Sequence, residues 1–434
     1  MTGPEEETVN GHDNGHIRKP SQEAFVDSNV AIAPNDPEEV PALLKRISLH
    51  GEAYLTENDE LERTRILDSA RALVYALETP REAMIRHCWS QSTLYAAIEI
   101  AVNLDLFTAL SRDETPKSAA ELALATGSNP GVLARILKHL TAMGVIKETG
   151  PDEYRRTGFS IAMQSPRYSD AYPCMTGCIT AGVLALPAQL KATNYAPPVD
   201  STACAFQRGF DTELHFFDLL KQHPQHAREF NNHMSAYHQG RPSWMDLGFY
   251  PVHTLVEVSP PVTADDVLLV DIGGGMGHDL VEFHRKWPDL SGRLIVQDLP
   301  AVVAQARELN LNPKIELMEY DFFEEQVIKG ARAYYLHSVL HDWPDTSCRL
   351  ILQHLVPALR KGYSKLLINE NVIPSTNAYW ETTSLDLIMM ADFASTERTE
   401  AQWRALVESV DGLRIVKIWT ARRGVESLIE CEVF

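Results

Sequence analysis

The stretch Val267-Leu-Leu-Val-Asp271-Ile-Gly273-Gly-Gly275-Met-Gly277 decides the fold. Its branched apolar run reads as a buried strand, and the glycines after it read as a tight turn into a helix. Without a Cβ, the glycine backbone can come close to a bound nucleotide. His278 stands where the last glycine of the dinucleotide pattern G-x-G-x-x-G would fall, so the loop is a different nucleotide cradle. The next strand-like run, Leu294-Ile-Val-Gln-Asp298, ends on an acid. A carboxylate there can accept hydrogen bonds from both hydroxyls of a ribose. Gly273, Gly274, Gly275 and Asp298 therefore predict a nucleoside-type cofactor.

Working outward, Leu268–Ile272, Arg293–Gln297, Ile315–Met318, Ala333–Leu336 and Lys365–Asn369 are strand-like, with helical patterns between the early ones. That alternation predicts an α/β fold with a parallel, Rossmann-like sheet. Asp321-Phe322 follows the third strand. The acid suits the amino group of an adenine and the ring suits its face; taken alone, the pair also reads as a helix cap and a core aromatic. Leu340-His341-Asp342-Trp343-Pro344-Asp345 follows the fourth strand, at the sheet edge where open α/β folds bind ligands. A phenol, with a pKa near ~10, is mostly protonated at neutral pH, and a neutral imidazole can take that proton. A lone histidine is more often structural. Two carboxylates shift that balance: Glu370, ending the fifth strand, and Glu397, in Thr396-Glu-Arg-Thr399. Either can hold the second ring nitrogen and fix the tautomer, although Glu397 also reads as a charge at a helix start.

Upstream, residues 1–36 are polar and acidic and predict a disordered tail. Residues 37–170 predict a helical and winged-helix domain. Leu43, Leu44, Ile47 and Leu49, then Ile66, Leu67, Ala70, Leu73, Val74 and Leu77, recur at helical spacing. Thr93–Ile100 is a helix of small apolar residues. Ser118–Thr157 has a winged-helix pattern: a capping box at Ser118-Ala-Ala-Glu121, a second helix with Val132, Leu133, Ile136, Leu137 and Leu140 on one face, and a hairpin from Val145. Residues 171–245 predict a helical connection that helps to shape a substrate pocket, and 246–434 the catalytic domain.

Winged helices often bind DNA, but the second helix offers only Arg135, Lys138 and His139 as cations. The net charge of −20 repels phosphate backbones and anionic lipids, so neither nucleic acid nor membrane is expected as a partner. Of the six cysteines only Cys174 and Cys178 lie close in sequence, so no metal is expected. The apolar stretch Ile179–Leu190 carries Pro187 and is short for a bilayer, and the start has no signal-peptide pattern. A cytoplasmic protein is expected.

Glu-Tyr-Asp-Phe322, His341-Asp-Trp and Glu397-Arg-Thr, in this order after Asp271-Ile-Gly-Gly-Gly-Met-Gly, resemble the plant caffeic-acid-type O-methyltransferases. Gln297-Asp-Leu-Pro-Ala and Gly240-Arg-Pro-Ser-Trp244 resemble the fungal branch of that family, which works in secondary metabolism. The resemblance spans roughly residues 60–434. It implies an S-adenosylmethionine (SAM)-dependent enzyme that methylates a hydroxyl of a small aromatic or polyketide-type molecule, and a winged helix used to form a homodimer. It places the methionine part of SAM on the Gly273 loop, the ribose on Asp298, and the adenine by Asp321 and Phe322 with Trp343 stacking nearby. It makes His341 the base, flanked by Glu370 and Glu397, and puts Asp342, Ile388, Met389 and Phe393 on the acceptor side. His337 is a departure: plant enzymes carry Lys four residues before the base, and fungal relatives often Arg. His337 is expected to face the cofactor. An alternative is a SAM-binding cyclase of the same fold that moves no methyl, and His337 is the residue that favours it.

Overall fold

The computed structural model describes residues 28–237 and 239–434. The expected tail lies mostly outside them. Its last residues are ordered: Ser28–Ile32 is a short helix, and the Asn35 and Asp36 N–H groups donate to the carbonyls of Glu78 and Ala76 at 2.9 and 3.0 Å.

The chain divides into two compact units. One comprises the described residues up to Ile100 together with Lys138–Gly144, the other Ala101–Leu137 with Val145–Phe434. In the first unit, helices Val40–Glu57 and Glu60–Leu77 are joined by Asn58 in the left-handed conformation, and Asp59 caps the second. Leu43 and Ala76 are buried, whereas Leu44, Leu49, Leu67, Val74 and Leu77 are exposed, with Leu55 at 86% and Trp89 at 64%. The helical periodicity is as expected, but part of these apolar faces stays exposed among the described residues.

The second unit holds most of the winged-helix elements, the end of the helix Pro130–Ala142 belonging to the first, and a seven-stranded sheet. The capping box forms, with the Glu121 N–H on Ser118 Oγ at 3.2 Å and the Ser118 N–H on Glu121 Oε2 at 2.8 Å. Lys147–Gly150 pairs with Glu153–Arg155 as the wing. On the helix before it, Leu133 and Leu137 are buried but Val132 is exposed, which narrows the apolar face read from the sequence.

The sheet strands are β1 (Val267–Ile272), β2 (Arg293–Asp298), β3 (Ile315–Glu319), β4 (Ala333–His337), β5 (Lys365–Glu370), β6 (Leu413–Thr420) and β7 (Ser427–Val433). Their spatial order is β6-β7-β5-β4-β1-β2-β3. The first five are parallel to one another, and β7 runs antiparallel between β5 and β6. β1 and β4 are buried along nearly their whole length, as central strands of a parallel sheet covered on both faces are. β6 is an edge strand with exposed Arg414, Val416 and Lys417, a pattern weaker than that of the parallel strands. The run Pro166–Ala192 is long and apolar enough to cross a bilayer by length and composition, longer than the Ile179–Leu190 stretch marked in the sequence. Cys174, Cys178, Ile179 and Leu186 of this run are buried.

Candidate active site

The loop after β1 takes its shape from glycine. Gly273, Gly275 and Gly277 have φ of +70°, +56° and +77°, a region unfavourable to residues with a Cβ. A Cβ on Gly273 would lie 2.9 Å from Val339, and one on Gly274 2.5 Å from the Asp271 carboxyl. The Gly273 and Gly274 N–H groups donate to the Gln297 carbonyl at 2.8 and 3.2 Å. Asp298 ties the turn to β2: Oδ2 accepts the Gly275 N–H at 2.8 Å and Oδ1 the Leu299 N–H at 2.7 Å. Burial pushes the Asp298 carboxyl up against these two bonds. Asp271 is buried with both carboxyl oxygens lacking a hydrogen-bond partner. Burial, and then the charge of Asp279, hold its pKa well above the carboxylate range. A turn crowded against Cβ atoms at Gly273, Gly274 and Gly277, with Asp298 bonded to its backbone, fits a nucleoside-type cofactor. Asp271 was part of the quoted motif but carried no assigned role.

Asp321 caps a turn through the Phe323 N–H at 2.9 Å, so part of its expected structural reading holds. Phe322 lies against the Gly273 position and meets Trp343 edge-on at 6.0 Å between ring centres, while Phe323 meets Trp343 at 4.7 Å. His215 and Phe217, neither singled out in the sequence, also stack on Trp343, at 5.1 and 6.1 Å.

His341 sits on the short 3-10 turn Leu340–Asp342 after β4 and is nearly fully buried. Its Nδ1 stands 2.7 Å from Glu397 Oε1 and 3.8 Å from Glu370 Oε2; its Nε2 stands 3.5 Å from Asp342 Oδ1. Glu397 is therefore the ring's hydrogen-bond partner. Glu370 has a different task. Its Oε1 accepts the N–H groups of Val339, Leu340 and His341 at 3.0, 2.9 and 3.3 Å, and so shapes the turn that carries the histidine. Burial opposes a charged His341, but Glu370, Asp342 and Glu397 outweigh it and raise the imidazole pKa well above its ordinary value. Burial lifts Glu370 to about 7 and Asp342 to about 6.

Two supports went unread in the sequence. Arg398, itself buried, donates to the Leu340 and Trp343 carbonyls at 3.0 Å each and to Asp345 at 2.9 Å, clamping the far side of the turn. Asp386 accepts the Glu397 N–H at 2.8 Å. Arg398 lay inside the quoted Glu-Arg-Thr motif; Asp386 had no sequence signal.

His337 departs from the expectation of a simple cofactor contact. Its Nδ1 lies 2.5 Å from Asp279 Oδ2 and its Nε2 3.0 Å from Glu426 Oε2, so protein carboxylates take both nitrogens. Met389 and Phe393 are buried with Cys174, Phe206 and Phe216, and Ile388 packs on that cluster. The Phe393 and Phe216 ring centres are 4.6 Å apart. These residues belong to an aromatic core around helices 171–230.

A family model described as the O-methyltransferase domain matches residues 252–412, and one described as the O-methyltransferase dimerisation domain matches 87–165. O-methyltransferase mpaG of Penicillium brevicompactum is 36% identical over 378 residues, covering 87% of this chain and 94% of that protein. Demethylsterigmatocystin 6-O-methyltransferase of Aspergillus parasiticus is 37% identical over 361 residues, covering 83% and 90%. A solved structure described as a pericyclic reaction enzyme has a TM-score of 0.81 at 29% identity, covering 91% of this chain and 100% of that one. LepI in complex with SAM has a TM-score of 0.82 at 29% identity, covering 91% and 99%. The chain belongs to the O-methyltransferase family and is a SAM-dependent methyltransferase with a dimerisation domain.

Proposed function

We propose that this enzyme methylates a hydroxyl of a small aromatic or polyketide-type metabolite, with His341 as the general base. The 2.7 Å contact between His341 Nδ1 and Glu397 carries this reading. A carboxylate at that distance keeps the proton on Nδ1 and leaves the Nε2 lone pair to accept the proton of the acceptor hydroxyl. The raised imidazole pKa makes it a stronger proton acceptor. Glu397 stabilises the imidazolium that forms, and Glu370 and Arg398 hold the turn in place. Gly273, Gly274, Gly275 and Asp298 would hold the cofactor's methionine and ribose parts, with Asp321, Phe322 and Trp343 on its adenine side. When bound, SAM supplies the electrophilic methyl group. Asp342 faces the acceptor beside the base, and Ile388, Met389 and Phe393 set the pocket wall from behind.

The enzyme works as a cytoplasmic homodimer and needs no metal. The exposed leucines of the first two long helices and the dimerisation-domain match support the dimer. Ligand atoms of His341, Glu370 and Glu397 lie within 4.8 Å of one another, close enough to hold an ion. Their hydrogen bonds already account for that spacing, so a chelator should leave the rate unchanged. The test is incubation with SAM and a panel of phenols and hydroxylated polyketides, followed by mass spectrometry. A product heavier by one methylene supports methyl transfer. A ring-closed product of unchanged mass would support cyclisation instead, the chemistry named for the pericyclic structural neighbour.

A further inference from the structure

Asp279, His337 and Glu426 form a cluster that the catalytic reading leaves unused. Asp279 is in the first turn of helix His278–Lys286, directly after the glycine loop. His337 ends β4, whose neighbours in the sheet are β1 and β5. Glu426 precedes β7. The two carboxylates hold the ring nitrogens at 2.5 and 3.0 Å. Ser338 Oγ and Asn369 Nδ2 each donate to Glu426 at 3.4 Å. Asp271, buried beneath Gly274, adds a third acid whose ionisation His337 favours.

We propose that His337 is a positioning residue: as an imidazolium shared by Asp279 and Glu426 it fastens the start of the loop helix to the β7 end and so sets the shape of the cofactor cradle. This rests on the cofactor reading above. Geometry argues for the charged form. A neutral imidazole has one N–H, yet two carboxylates sit at hydrogen-bond distance on opposite nitrogens, and only the cation donates to both. Burial opposes that cation, but Asp279 and Glu426 outweigh it. The cation answers the charge of the two carboxylates that hold its nitrogens, and removing one partner of a buried ion pair is strongly destabilising. The cation also replaces a longer Lys or Arg by a rigid ring that reaches two helix and strand ends at once.

The test is calorimetric binding of S-adenosylhomocysteine, which reads the cradle without turnover. His337→Ala should weaken binding about tenfold or more, as expected when buried carboxylates lose their cation. His337→Gln, which keeps hydrogen bonding but no charge, should lose as much, while His337→Lys should recover most of the affinity. Adding Glu426→Gln to His337→Ala should also recover part of the loss, since one carboxylate no longer needs a counter-ion. The KM for the acceptor should stay near the parent value in every variant. His337→Gln binding as tightly as the parent would overturn the proposal, as would a second loss in the double variant in place of a recovery. Should His337→Ala not fold, the Gln and Lys variants decide alone. A parent protein that binds no S-adenosylhomocysteine would instead refute the cofactor reading itself.

Discussion

His337 and His341 stand four residues apart at the carboxyl edge of the same sheet, and each is surrounded by acids. Their second nitrogens separate them. His337 has carboxylates at hydrogen-bond distance on both sides. His341 has one such partner, Glu397, and among the described residues its Nε2 has a contact to Asp342 Oδ1 at 3.5 Å. Two strong partners suit an imidazole to be a fixed cation, whereas one partner leaves a nitrogen for the proposed base. Raised basicity therefore says little about a histidine's task; the unshared nitrogen says more.

The largest test of this contrast is Glu397→Gln. The glutamine amide can donate to Nδ1, which would leave the ring proton on Nε2 and block proton uptake. The methylation rate should fall about 10²–10⁴-fold with S-adenosylhomocysteine affinity unchanged. A rate within a few-fold of the parent would mean that the dyad does not set the tautomer. Asp298→Ala addresses the cofactor side alone. Losing a carboxylate that anchors Gly275 and is expected to bind the ribose should weaken S-adenosylhomocysteine by about 1.5–3 kcal/mol, read by calorimetry. Unchanged affinity would remove Asp298 from the site. Glu370→Gln should lower the rate less, about tenfold, because the amide oxygen still accepts N–H bonds from the turn but without the charge. A larger loss than for Glu397→Gln would reverse the roles given to the two acids.

A buried carboxyl with no hydrogen-bond partner among the described residues sharpens the comparison further. Asp392 is fully buried, neither oxygen has a hydrogen-bond partner, and burial raises its pKa to about 8. The unfolded chain loses that proton near ~3.9. Between these values the folded state binds more protons, so the contribution of Asp392 to stability falls as pH rises through that window. Asp392→Asn should flatten this trend and raise Tm by roughly 2–4 °C at pH 8.5, with a smaller gain at pH 6. An equal Tm at both pH values in both proteins would show that Asp392 ionises without cost.

Much of this was legible from chain order. The five parallel strands, the glycine turn and His341 fall where strand-like runs end, because ligands gather at that edge. β6 was missed because it is an edge strand whose pattern is broken by exposed Arg414, Val416 and Lys417, and β7, though buried, was missed because Glu430 and Glu432 interrupt its apolar run. The pairing of Glu397, rather than Glu370, with His341 was not readable, since both carboxylates are distant in sequence and only the fold brings them to one ring. Arg398 and Asp386 were hidden for the same reason. The helices of residues 40–77 were legible as helices, but the periodicity did not show that leucines on them, such as Leu49 and Leu55, stay exposed.

The most direct measurement is the rate of methyl transfer against pH for the parent enzyme and His341→Ala. His341 must be deprotonated to accept a proton, and its raised pKa places that step above the ordinary histidine value of about 6.5. The parent rate should therefore climb with pH beyond that value and then level off. His341→Ala should be slower by about 10²–10⁴-fold at neutral pH, with S-adenosylhomocysteine affinity intact, and should keep climbing towards the acceptor's own pKa near ~10. A His341→Ala enzyme that matches the parent in rate and in pH profile would contradict the assignment of His341 as the base.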